Sequence, residues 1–175
     1  MVAAGVVARV RLAPRCVATV EVHVRVLVVS ESPVERLRAV SALALHAGDR
    51  DIDVVEADGA EALRQRVLHD GERFDVLVVD GDLQPRGGYA TLYDLRSRGD
   101  QTGTPAVPSL VLASRDQDVW LAQWAGANDL LLKPVDPFEL ARRVVALEGA
   151  TIPDYGGSTN TAQQVATALR SAPQP

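Results

Sequence analysis

The sequence predicts an α/β fold, a parallel β-sheet with helices on both faces, and three observations carry that expectation. Five short apolar or β-branched runs, at residues 24–29, 52–55, 74–79, 109–112 and 130–132, are separated by stretches of helical spacing. Strand and helix signals alternate along the chain, which is the pattern of βαβ units with right-handed crossovers. The third run, FDVLVV, is almost wholly apolar, as befits a central strand covered on both faces.

The elements follow in order. After the first strand, Ser32 is placed to cap a helix and Pro33 to occupy its first position. Val34, Leu37, Val40, Ala44 and Leu45 recur along that helix, and Gly48 ends it. Ile52 opens the second strand, and Asp58 is expected to cap a helix running through Ala62, Leu63 and Val67 to His69. The third strand ends in Asp80, followed by the turn-rich stretch GDLQPRGG. A helix carrying Leu92 and Leu95 comes next, then a polar loop over residues 98–104 and the fourth strand. A short helix with Trp120, Leu121 and Trp124 stops at Gly126, before the fifth strand. Asp136-Pro137 opens the last helix, with Leu140, Val144 and Leu147 on its inner face.

Composition narrows the function classes. With 175 residues, 47% of them hydrophobic, the chain suits one domain with extensions; aromatics are only 4%, so the core must be Val, Leu and Ala. A net charge of -5 argues against nonspecific binding to nucleic acid or anionic membranes, which needs a basic patch. Cys16 is the single cysteine, so no internal disulfide forms and a reducing cytoplasm is the simplest compartment. No run approaches the roughly 18 apolar residues of a membrane span. In residues 1–22 the apolar run precedes the arginines, the reverse of a secretory signal, and the serine enrichment of a transit peptide is lacking. That segment is expected to be a disordered arm or sequence upstream of a later start. Residues 23–149 form the expected domain, and residues 150–175, rich in Gly, Ser, Thr, Pro and Gln, a flexible tail.

Lys133 is the one lysine among 18 Lys and Arg residues, and it follows the fifth apolar run. An ammonium is a compact point charge, suited to a small anionic site. Ligands of parallel sheets bind beyond the carboxyl ends of the strands. Ser30 and Glu31, Asp80, and Lys133 all follow strand ends and are expected to converge there. Gathered carboxylates suit a hard divalent cation such as Mg²⁺, and an aspartate so placed can act as a nucleophile toward a phosphoryl donor.

Residues 24–148 resemble the receiver domain of two-component response regulators. The resemblance rests on DVLVVD ending in Asp80, on Gly88 eight residues later, and on GAND at residues 126–129 followed by Lys133-Pro134. It implies a flavodoxin-like five-stranded sheet of order 2-1-3-4-5. It also implies a phosphoryl group accepted on Asp80 from a histidine kinase or phosphotransfer protein, with Lys133 and Ser114 beside it. Mg²⁺ would be held by Glu31, Asp80 and Asp82. Output would pass by protein contact through the face of the fourth helix, fifth strand and fifth helix, including Trp120 and Trp124, since tryptophan is enriched in interface anchors. With no DNA-binding region after Leu147, direct transcription control is not expected.

The departures are equally specific. Such domains have two acidic residues where this chain has Ser30-Glu31, and Pro85 falls one residue late. The usual switch hydroxyl aligns with Ala113, or with Ser114 if the register slips by one, and the usual aromatic of the fifth strand is Leu130. These changes imply a weakened or altered switch. Three readings therefore stand: a phosphorylated stand-alone receiver, a pseudo-receiver that binds partners without phosphorylation, and a small phosphatase using Asp80 as nucleophile with Asp82 as its second aspartate.

Overall fold

A computed structural model describes residues 23–48, 50–103 and 106–150. The expected arm and tail lie outside them. The sheet contains β1 (His23–Val29), β2 (Asp51–Ala57), β3 (Val76–Asp80), β4 (Ser109–Ala113) and β5 (Asp129–Leu132). All neighbours are parallel and the order is β2-β1-β3-β4-β5, as the resemblance implied. The helices are α1 (Pro33–His46), α2 (Ala60–Arg64), α3 (Gly87–Thr102), α4 (Val119–Ala125) and α5 (Pro137–Leu147). No helix among the described residues is long and apolar enough to cross a membrane.

The sheet divides the core in two. Val24, Val26, Val28, Val76, Val78, Leu110, Leu112 and Leu131 point toward α1 and α5. Leu27, Val29, Val55, Leu77, Val79, Val111, Ala113 and Leu130 point toward α2, α3 and α4. This alternation is the period-two pattern of a pleated strand, with both faces buried. Every residue of β3 and β4 is buried. Each Val or Leu removed from water there contributes about 1.5–3 kcal/mol.

Two helix starts are as the side-chain chemistry predicts. Ser32 Oγ accepts from the Glu35 amide at 3.3 Å and Asp136 Oδ1 from the Glu139 amide at 2.9 Å, each just before a proline. The buried face of α5 carries Leu140, Val144 and Leu147, as expected.

Three local expectations are corrected. Asp58 does not cap α2: the cap position is Gly59, which has no side chain to offer, and the helix passes into a π-helical turn over Gln65–His69. The polar stretch after residue 98 is not a loop, because α3 continues to Thr102. The Thr102 hydroxyl donates to the Arg98 carbonyl at 2.9 Å, and Gly103 supplies the left-handed C-cap at φ 68°. Finally, α1 buries Ala39, Val40, Ala42 and Leu43 and leaves Val34, Leu37 and Leu45 exposed. That helix is apolar on nearly every side, so periodicity alone did not choose its inner face.

Candidate functional site

The site lies at the carboxyl edge of the sheet, where β1, β3 and β5 end side by side with β4. Asp80 closes β3 and is only 6% exposed, and both its carboxylate oxygens are engaged. Oδ1 accepts from Lys133 Nζ at 2.6 Å and from the Asp82 amide at 3.0 Å. Oδ2 accepts from the Ser30 hydroxyl at 2.8 Å. The carboxylate is thus fixed by one charged donor and two neutral ones.

Lys133 is aimed by the strand before it. Ala113 pairs with Leu132 in the β4–β5 ladder, and the Lys133 amide donates to the Ala113 carbonyl at 2.8 Å. Its ammonium bridges Asp80 and, at 3.0 Å, Asp82 Oδ2. The Ser114 hydroxyl also donates to Asp82 Oδ2. Ala113 is the last residue of β4, and Ser114 follows it, its hydroxyl meeting Asp82 rather than Asp80. The Gln84–Pro85 and Lys133–Pro134 peptides are cis.

Glu31 stands apart from this network, with Oε1 accepting from the Gln84 amide at 2.7 Å. Of the three expected metal ligands, Asp80 and Asp82 are therefore joined through Lys133, while Glu31 braces the loop after β3. Among the described residues no group of three or more His, Cys, Asp and Glu is gathered so as to hold a metal ion.

Two contributions were missed from sequence. Ser30 is expected at the converging strand ends, but its role there is not: its buried hydroxyl holds Asp80. Tyr89, in the first turn of α3, is buried against the loop after β3. Its place directly after Gly88 was the available signal. Trp120 and Trp124 are 62% and 49% exposed, so the pair faces outward, and Trp124 stacks on Tyr93 of α3 with ring centroids 4.4 Å apart.

The charges hold one another in place. Burial pushes the Asp82 carboxyl up, but the Ser114 hydroxyl, the Lys133 ammonium and the charge of Arg115 outweigh it and hold Asp82 below its ordinary 3.8. Burial pushes the Lys133 ammonium down, and Asp80 and Asp82 outweigh that, leaving it above 10.5. A carboxyl depressed in the folded state stabilises the fold above its unfolded pKa and loses that contribution as pH falls through the folded value. Asp82→Asn should therefore melt below the wild type by a constant margin over about pH 5–8. That margin should close on acidification below 3.8. Thermal melts across pH check this, and a margin that widens in acid would refute it. The effect is small, because the Asp82 side chain is 48% exposed.

Comparison with known proteins identifies the family. The family model for the response regulator receiver domain matches residues 26–145. A response regulatory protein of Mycobacterium tuberculosis is 36% identical over 126 residues, spanning 70% of this chain and 90% of that protein. The signal receiver domain of the putative response regulator NarL from Mycobacterium tuberculosis superposes with a TM-score of 0.60 at 25% identity, covering 71% of this chain and 94% of that one. The receiver domain of a sensor histidine kinase from Pseudomonas aeruginosa, solved with a magnesium ion coordinated in its active-site cleft, gives a TM-score of 0.59 at 24% identity, covering 73% and 99%. Receiver domains are non-enzymatic modules of two-component signalling and interact with histidine kinases, which sets the phosphatase reading aside. The chain belongs to the response regulator receiver family.

Proposed function

We propose that Asp80 accepts a phosphoryl group from a phosphohistidine donor on a histidine kinase or phosphotransfer protein. The observation that carries this is the buried Asp80 carboxylate held at 2.6 Å from the Lys133 ammonium at the sheet edge. In the reaction a carboxylate oxygen forms a bond to phosphorus as the P–N bond of the donor breaks, and the imidazole leaves with the electron pair. Lys133 faces the charge that develops on the phosphoryl oxygens, which is electrostatic stabilisation by a positioned cation. The product gains charge and acceptor oxygens at a loop that Ser30, Asp82 and Ser114 already tie together.

The donor set suits Mg²⁺ by chemistry: Asp80, Asp82 and Glu31 offer only hard oxygens, and Asp80 and Asp82 already converge on a single cation, Lys133 Nζ. Asp80 and Asp82 would hold the ion, and Glu31, engaged here with the Gln84 amide, would have to leave that bond to contribute a third carboxylate. When bound, it supplies charge neutralisation to the transferred phosphoryl oxygens. With Ser30 where a second acid is usual, its binding is weak.

The test is direct. Incubation with Mg²⁺ and acetyl phosphate should give an acid-stable, base-labile mass gain by intact-protein mass spectrometry, absent in Asp80→Asn. A wild type that gains no mass overturns the proposal. Absence of Mg²⁺ binding as well would establish the second reading, a receiver fold used as a binding module without phosphorylation. The buried, hydroxyl-free Ala113 at the end of β4 favours that second reading. In either case signalling runs by protein contact, and the outward Trp120 and Trp124 supply a candidate surface.

A further inference from the structure

Tyr89 is 8% exposed, and its hydroxyl is the one buried side-chain polar atom among the described residues without a hydrogen-bond partner. Buried hydroxyls almost always find a partner, because burial without one forfeits hydration for nothing. An orphan of this kind asks for an explanation, and its location gives one. A Cβ built on Gly81, the residue after Asp80, would stand 2.7 Å from the Tyr89 hydroxyl, so the phenol tip lies directly against the backbone of the phosphoacceptor loop. Tyr89 shares its core cluster with Ala113 and Leu130, neither of which brings a polar atom to that side of the sheet.

The electrostatic surroundings show what partner would suit it. Burial, then Asp118 and Asp82, and also Asp80, push the Tyr89 hydroxyl up to about 12, with Arg115 opposing. It is therefore a firm donor among carboxylates that are all engaged elsewhere. Asp82 is taken by Lys133 and Ser114, Asp118 by Arg115, and Asp80 by Ser30, Lys133 and the Asp82 amide. A phosphoryl group on Asp80 would compete for Lys133 and so loosen Asp82 on the same loop. On its own helix, Tyr89 stands four residues before Tyr93, the ring stacked on Trp124 of α4.

We infer that the Tyr89 hydroxyl is the positioning group that carries the state of Asp80 to the α3–α4 face: unbonded in the resting protein, it gains an acceptor on the phosphoacceptor loop when Asp80 is phosphorylated. This rests on the phosphoacceptor reading above. The bond draws the first turn of α3 toward the loop and shifts the Tyr93–Trp124 stack with it, so the two arrangements of the α3–α4 contact are biased by one hydroxyl.

The experiment uses the full chain carrying Trp120→Phe, so that emission reports Trp124, with and without Tyr89→Phe. Both proteins are treated with Mg²⁺ and acetyl phosphate, and mass gain, tryptophan emission and melting temperature are followed together. The expected result is equal mass gain in both, an emission change in the Tyr89 protein, and at least a twofold smaller change in Tyr89→Phe. The untreated Tyr89→Phe protein should melt at the same temperature as its parent or higher, because it loses only an unpaired hydroxyl. A lower melting temperature would show the hydroxyl already bonded at rest and overturn the inference. Equal mass gain with equal emission change, or with none in either protein, would overturn it while leaving the phosphoacceptor reading intact. No mass gain in either protein would remove both.

Discussion

Lys133→Met should destabilise the protein by about 3–5 kcal/mol, the loss typical of a buried ion pair stripped of one partner. The size follows from what remains. Asp80 keeps the Ser30 hydroxyl and the Asp82 amide, but both donors are neutral and cannot balance a buried carboxylate. Asp82, which shared the same ammonium, becomes a like charge on the adjoining loop. The side chains of Lys133 and Asp80 are 19% and 8% exposed, so little solvent screening is available. Asp80→Asn removes the stranded charge, and in that background Lys133→Met should cost less by about 2 kcal/mol. Urea unfolding of the wild type, both single variants and the double variant closes this cycle. Additive losses would show that Lys133 and Asp80 are neighbours without mutual dependence, and the geometry of the site would have to be reinterpreted.

What the sequence could show about this site, and what it could not, follows from the range of the forces involved. The strands were legible because β-branched runs are local, and the caps at Ser32 and Asp136 because a cap is set by side chains a few residues apart. Asp80 and Lys133 were legible as strand ends, since parallel strands bring their carboxyl ends to one edge. The inner face of α1 was not, because Val34, Leu37 and Leu45 compete on equal terms with Val40 and Leu43 until the sheet selects among them. The extension of α3 through residues 98–102 was hidden by a polar, glycine-containing composition that reads locally as a loop. The Ser30–Asp80 bond spans fifty residues and the Tyr89–Gly81 contact joins two elements, so neither leaves a periodic trace. That β4 ends at Ala113, opposite Leu132, is a fact of register that no local pattern carries.

The second large effect is expected at Gly88, where space rather than conformation is limiting. Gly88 does not have a left-handed backbone, so alanine meets no strain of that kind. Instead a Cβ there would lie 2.1 Å from the Asp80 carbonyl oxygen, 2.9 Å from its carbon and 3.0 Å from Val79 Cγ1. Two of those atoms belong to the backbone of β3, which is paired with β4 through Asp80 and Leu112 and cannot step aside as a side-chain tip would. Overpacking of a tight core costs about 1–3 kcal/mol, and a clash against backbone places Gly88→Ala at the upper end, about 3 kcal/mol. Gly48→Ala provides the contrast: nothing lies within 4 Å of its Cβ, but φ is +70°, so it meets backbone strain alone, about 1–2 kcal/mol. Only the Gly88 change should also lower the mass gain with acetyl phosphate, because relief of the clash must move either the start of α3 or the end of β3 that carries Asp80. Chemical denaturation and mass spectrometry on the two variants separate the causes. A Gly88→Ala protein as stable as Gly48→Ala and phosphorylated like the wild type would mean that the first turn of α3 yields freely. The approach of that turn to Asp80 would then not be what holds the carboxylate opposite Lys133.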